Sequence, residues 1–143
     1  KLTELLADEM LDMWQRTQKV TFSDEERRSL IQYNFQAIDE TKRILSGLAN
    51  RPGIDPETSH RTNLLSDNPK SRQYRPEISV ERFREFALTI IQEAIETVKA
   101  ALAKAGLLEN EIDCYFVVGG SSMLPLLDDE LEKFIARLND TAT

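Results

Sequence analysis

The sequence predicts an α/β chain that is mostly helical. Apolar residues recur at helical spacing over most of the chain outside residues 47–77. Four of the five prolines fall in residues 47–77 among Ser, Thr, Asn and Asp, so this stretch is predicted to be a loop or a short hairpin. Residues 112–118 are almost all apolar, which is typical of a strand covered on both faces.

Two helices are predicted within residues 1–46. The first has an apolar stripe that includes Trp14. The second begins at Ser23, and Glu26 stands three residues later, as a capping box requires. Gly47 is expected to end this second helix, because glycine is a frequent residue just beyond a helix C-terminus.

The second half of the chain predicts a long helix over residues 78–106 and a strand, a Gly-Gly turn and a helix over residues 107–143. One strand cannot make a sheet, so its neighbours are expected outside this chain. The chain also starts at Lys1 rather than Met, and a helical pattern begins at once. Residues 1–143 are therefore predicted to be a single fragment of a larger domain.

The composition excludes several functional classes. With 41% hydrophobic and 30% charged residues the chain is typical of soluble globular proteins. A net charge of −7 argues against nucleic-acid binding, and no apolar run approaches the roughly 20 residues that span a membrane. The single Cys and single His predict no disulfide, no metal site and no catalytic Ser-His-Asp triad, and they suit a cytoplasmic location.

One group of polar residues on the second helix has the spacing of a binding face. Asp39, Lys42, Arg43 and Ser46 are three and four residues apart, so their side chains share one face, which we call the Asp39 face. Asp39 is expected to pair with Lys42 or Arg43. A guanidinium stacks on planar rings, and Lys and Ser donate hydrogen bonds, so this face suits a nucleoside. An exposed set of ion pairs is the alternative reading.

The second candidate site is the turn after the apolar strand. Gly119 and Gly120 let the backbone approach a ligand closely, and the N–H groups of a following helix attract anions. Pro125 suits the first turn of that helix. A tight strand-to-helix turn without a ligand explains the same residues equally well.

Together these stretches resemble a known family. The order of "KRILS", "ISVERFREF" and "VVGGSSMLP" is similar to that in the nucleotide-binding domain of the DnaK-like seventy-kilodalton heat-shock chaperones. The resemblance is clear over residues 24–46 and 78–134. It implies the small lobe of an actin-like ATPase domain, with long helices, a short or rebuilt hairpin and one strand-turn-helix from the adjoining lobe.

The resemblance also implies a cofactor and its binding residues. In the family the adenosine of ATP or ADP lies between a helix face and a Gly-Gly-Ser turn. The residues that match these two motifs, with Asp39 in place of a glutamate, are Asp39, Lys42, Arg43, Ser46, Gly119, Gly120 and Ser121.

Two features depart from the family pattern. Met123 stands where the family has an arginine that covers one face of the adenine, and a thioether packs on a ring without supplying a cation. Residues 48–76 lack the alternation of a strand, so the hairpin there is expected to be short or rebuilt as a loop.

The family's phosphate loops, magnesium-linked carboxylates and catalytic lysine would precede this chain. The resemblance thus implies a fragment without catalytic residues, with Mg²⁺ bound only in a longer parent. The implied partners are the rest of the ATPase domain, a peptide-binding domain, and a nucleotide-exchange factor or co-chaperone. Nucleic acid and membrane are not expected partners.

Two other functions remain open. An actin-like filament ATPase shares the strand–Gly-Gly–helix turn, although not usually the Lys-Arg-x-x-Ser spacing. A degenerate chaperone relative would keep the fold and act as an interaction module without nucleotide.

Overall fold

The computed structural model of the chain describes residues 2–106 and 129–134. Within them the chain is mostly helical with short antiparallel strands, which confirms the predicted predominance of helix. The chain forms two compact units, Lys1–Phe86 and Ala87–Thr143. The elements of residues 2–106 are α1 (Leu2–Gln18), α2 (Asp24–Tyr33), α3 (Phe35–Ala49), β1 (Ser59–Arg61), β2 (Leu64–Leu65), β3 (Gln73–Tyr74), β4 (Glu77–Ser79) and α4 (Val80–Lys104).

Helix α1 buries the apolar stripe that its sequence predicts. Trp14 is fully buried, and its indole meets the rings of Phe22 and Tyr74 edge-on, at centroid distances of 5.3 and 5.9 Å. The indole Nε1–H donates to Gln18 Oε1 at 2.9 Å and to the hydroxyl of Ser71. Trp14 therefore joins α1 to the segment before α2 and to the strand region.

The structure divides the predicted second helix into α2 and α3. The capping box at its start is confirmed, since Ser23 Oγ accepts from the Glu26 backbone N–H and Glu26 Oε1 accepts from the Ser23 N–H, both at 3.1 Å. Asn34 interrupts the helix at φ −98° and ψ 12°. At its other end α3 continues past Gly47 to Ala49, so the predicted stop at Gly47 is corrected by two residues.

Residues 59–79 form an interrupted antiparallel hairpin. Strand β1 pairs with β4, with Ser59 opposite Ser79, and β2 pairs with β3, with Leu64 opposite Tyr74. Between the two ladders the Thr62 N–H donates to the Pro76 carbonyl at 2.9 Å. Because Pro76 has no N–H to donate to Thr62 in turn, the ladder is interrupted there and the hairpin consists of two short sheets.

Helix α4 has 25 residues and begins in the first unit. There the Arg82 guanidinium lies 3.2 Å from Glu9 Oε2, bonds to Glu85 and stands 4.6 Å from the centre of the Phe86 ring. These carboxylates raise the pKa of Arg82 above its ordinary value. The first turn of α4 is thereby fixed to α1.

The described part of the second unit comprises the rest of α4 and helical residues 129–134. Ile91 and Ile95 are buried, as is Phe134, and the Lys99 ammonium lies 5.9 Å from the centre of the Phe134 ring. The predicted strand at residues 112–118 lies outside the described residues. Among the helices that are described, none is long and apolar enough to cross a membrane.

Candidate functional site: the Asp39 face of α3

Helix α3 has a buried side and an outward side. Ile38, Thr41 and Leu45 are 2%, 1% and 0% exposed and point into the first unit. The Asp39 face lies beside this stripe, and its four residues are partly or fully exposed. The helical spacing that packs α3 therefore also presents the four predicted binding residues outward.

The carboxylate of Asp39 holds both neighbouring cations. Its Oδ1 lies 3.1 Å from Lys42 Nζ, and its Oδ2 lies 3.0 Å from Arg43 Nη2. The sequence predicts a pair with one of the two, and the structure shows pairs with both. The hydrogen bond from Lys42 is the main cause that lowers the pKa of Asp39 below 3.8, and the charges of Lys42 and Arg43 add to it while partial burial opposes it.

This arrangement leaves the two cations accessible to different degrees. The Lys42 side chain is 33% exposed, whereas Arg43 is 78% exposed, so most of the guanidinium plane is open. Ser46 lies one turn further along at intermediate exposure. The face thus combines an open planar cation, a half-buried ammonium and a hydroxyl, which are groups that stack on a ring and bond to ligand hydroxyls.

Two polar contacts that sequence reasoning missed connect α3 to the hairpin. Thr41 Oγ1 lies 2.9 Å from the Ala37 carbonyl and 2.6 Å from Thr62 Oγ1, and both threonines are buried. Because the Ala37 carbonyl only accepts, the single hydroxyl hydrogen of Thr41 is used there, and Thr62 donates to Thr41. A polar residue among the apolar positions of the helix is the signal that could have revealed this contact.

The second contact is at Asn34, where α2 ends and α3 begins. Its Nδ2 donates to the carbonyls of Leu30 and Leu65, and its Oδ1 accepts from the Leu65 N–H, each at 2.9 Å. The amide side chain thereby pairs with β2 as a strand backbone would. This contact attaches the start of α3 to the hairpin, and the Thr41–Thr62 contact attaches the middle of α3 to it.

The remaining predicted site residues are Gly119, Gly120, Ser121 and Met123, and they lie outside the described residues. Within the ranges that are described, no group of three or more His, Cys, Asp or Glu side chains is arranged to hold a metal ion.

Comparisons with known proteins give the family. The HSP70 family (Hsp70 protein) matches residues 2–142. Two curated relatives are each 32% identical over 73 residues: a chaperone protein dnaK1 from Synechococcus elongatus and a chaperone protein DnaK 3 from a Synechococcus species. The aligned part makes up 51% of this chain and 11% of each relative. Since the family match covers nearly the whole chain, the chain belongs to the Hsp70 family.

Proposed function

We propose that this chain is the adenosine-binding part of the nucleotide-binding domain of an ATP-dependent molecular chaperone. The observation that carries the proposal is the Asp39 carboxylate, which holds Lys42 and Arg43 side by side on one exposed helix face. Family membership supports a chaperone ATPase domain in preference to an actin-like filament protein.

Each residue of the Asp39 face has a role in this proposal. Arg43 stacks its open guanidinium plane on the adenine, and Lys42 and Ser46 donate hydrogen bonds to the ribose hydroxyls. Asp39 belongs to this binding face and holds Lys42 and Arg43 through its two carboxylate oxygens. It reduces the conformational freedom of the two long basic side chains, so less entropy is lost when nucleotide binds.

The Gly-Gly turn provides the opposite wall in the proposal. Gly119, Gly120 and Ser121 would let the backbone approach the ribose and the α-phosphate, as the family motif implies. Met123 would pack its thioether on the adenine in place of the family's arginine. That contact is apolar and lacks a cation, so we expect weaker binding than an arginine would give.

The proposed site residues suit the binding of a nucleoside and do not include the groups that hydrolysis requires. ATP would supply the reactive phosphates, while Mg²⁺ and the catalytic residues would belong to a longer parent protein. In that parent we propose the rest of the ATPase domain and a peptide-binding domain as intramolecular partners, a nucleotide-exchange factor or co-chaperone as an external partner, and the cytoplasm as the location.

The affinity for ADP of three variants tests the proposal. Lys42→Ala and Arg43→Ala should each weaken binding by about 5- to 30-fold, since a hydrogen bond or stacked cation contributes roughly 1 to 2 kcal/mol. Arg28→Ala is the matched control, because Arg28 is an exposed arginine on α2, outside the Asp39 face. NMR titration measures such millimolar affinities.

Equal affinities in the wild type and the Asp39-face variants would contradict the proposal. The absence of ADP binding at saturating concentration would favour the other candidate, a degenerate relative that acts as an interaction module without nucleotide.

A further inference from the structure

A groove of about 520 Å³ lies between α2 and the loop that joins β2 to β3. Its apolar lining comes from Phe22 and Leu30, which are themselves only 5% and 8% exposed, and from Tyr33, which is 65% exposed. We call this site the α2 groove. Its volume falls in the range of roughly 300 to 1,000 Å³ that is typical of ligand pockets, so it can admit a large side chain with its flanking backbone.

The charge of the α2 groove is entirely negative. Glu25, Glu26 and Asp67 line it, and none of its lining residues is a lysine or arginine. Glu26 also accepts the capping-box hydrogen bond from Ser23, which fixes its position. The summed field of three carboxylates attracts cations, and the net charge of −7 does not oppose that attraction.

One large apolar side chain of the groove is exposed. Among the described residues, the large apolar side chains that are exposed are Tyr33, Phe35, Leu65 and Val98, and of these Tyr33 lines the groove. Exposed apolar surface beside a polar rim is typical of interaction sites.

Hydrogen bonds hold the segments that line the groove. Asn34 joins β2 to the junction of α2 and α3 through two hydrogen bonds to Leu65, and the loop between β2 and β3 has its own bonds from Asn68 N–H to Ser66 Oγ and from Lys70 N–H to Asn68 Oδ1. A site formed in advance loses less entropy on binding. The groove is therefore a formed cavity with an apolar floor, an open aromatic ring and an acidic rim.

We propose that the α2 groove binds a segment of a protein partner in which one apolar or aromatic side chain is flanked by lysine or arginine. The apolar side chain contacts Phe22, Leu30 and Tyr33, and the flanking cations meet Glu25 and Asp67. An arginine of the partner can also stack on the Tyr33 ring. None of these residues belongs to the Asp39 face, so this proposal does not depend on nucleotide binding.

Three synthetic peptides test the proposal by NMR titration of the isotopically labelled chain. The first, acetyl-Gly-Ser-Lys-Arg-Trp-Leu-Lys-Arg-Ser-Gly-amide, carries both features. The second has Glu at the four basic positions, and the third has Ser in place of Trp-Leu. We expect the first peptide to shift amides of residues 25–33 and 66–68, and the other two to bind at least about 10-fold more weakly.

Charge reversal provides the matched control. Asp67→Lys should weaken binding of the first peptide by about 5- to 20-fold, whereas Glu57→Lys, which changes another exposed loop carboxylate outside the groove, should leave it within about twofold. Tyr33→Ser should weaken binding by a similar factor, because it removes the aromatic wall. Added salt should weaken binding to the wild type more than to Asp67→Lys.

Four results would overturn the proposal. The first is equal binding of all three peptides, and the second is equal weakening by Asp67→Lys and Glu57→Lys. The third is no shift in residues 25–33 and 66–68 at millimolar peptide. If the same amides shift instead on concentrating the chain alone, with sedimentation showing a dimer, then a second copy occupies the groove and the proposed partner is wrong.

Discussion

The side chain of Asn34 forms two hydrogen bonds with the backbone of Leu65. Its Nδ2 donates to the Leu65 carbonyl oxygen, and its Oδ1 accepts from the Leu65 N–H, each at 2.9 Å. This pair joins the break between α2 and α3 to the strand β2. It stands between two proposed functional surfaces: the Asp39 face begins five residues along α3, and the α2 groove lies on the other side of the break. The position of both surfaces depends on it.

Asn34→Ala should therefore destabilise the chain by about 2 to 3 kcal/mol, because three hydrogen bonds are lost and the Leu65 N–H loses its acceptor. Urea denaturation, followed by the fluorescence of the buried Trp14, measures the free energy of unfolding. Asn63→Ala is the control, since Asn63 is exposed, and its cost should stay within about 0.5 kcal/mol. Equal costs for the two variants would contradict the role of Asn34.

The buried pair of Thr41 and Thr62 predicts non-additive stability effects. Thr41→Val removes the acceptor of the Thr62 hydroxyl and should cost about 2 kcal/mol, whereas Thr62→Val leaves the Thr41 bond to Ala37 intact and should cost about 1 kcal/mol. The double variant should cost less than the sum by about 1 kcal/mol, because both partners are then apolar. Strictly additive urea-unfolding energies would show that the two hydroxyls do not interact.

The ion pairs of Asp39 predict the direction in which the pKa of its carboxyl group is shifted. NMR of the carboxyl carbon should place the pKa of Asp39 below 3.8 in the wild type. Lys42→Ala should raise this pKa most, since the Lys42 hydrogen bond is the largest cause of the lowering, and Arg43→Ala should raise it less. Arg28→Ala should leave it unchanged.

The lowered pKa of Asp39 has a defined consequence for stability. The contribution of its ion pairs is present above the pKa of the unfolded state and is lost as the pH falls through the lower pKa of the folded state. The difference in stability between wild type and Asp39→Asn should therefore shrink below about pH 4. A difference that grows on acidification would reverse the assigned sign.

We predict no ATP hydrolysis by this chain, because the proposed role of the Asp39 face is to bind adenosine and the face carries no group placed for phosphoryl transfer. Phosphate release in the presence of Mg²⁺ should equal that of buffer alone. Turnover by the wild type that Lys42→Ala abolishes would refute the account, since it would place catalysis on this face.

The helical parts of this fold could be predicted from sequence because their signals are local. The capping box of Ser23 and Glu26 and the apolar repeat of α4 depend only on residues a few positions apart. The break at Asn34 could not be predicted in the same way. Its cause is a contact with Leu65, 31 positions away, and no local pattern encodes that contact.

The sequence does not distinguish a hairpin from a loop at residues 47–77, for a related reason. Strands of two or three residues are too short to show alternation, and Pro76 interrupts the ladder between them. The Asp39 face was predictable as a set of residues, since helical spacing brings Asp39, Lys42 and Arg43 together. That a single carboxylate pairs with both cations depends on rotamers, which spacing does not determine.

The most direct test of the proposed function is a backbone amide NMR titration of this chain with ADP. We predict that the shifts cluster at residues 39–46 and 119–123, and that adenosine alone reproduces those at 39–46. Shifts confined to other residues, or no shifts at saturating ADP, would contradict an adenosine-binding role for the Asp39 face.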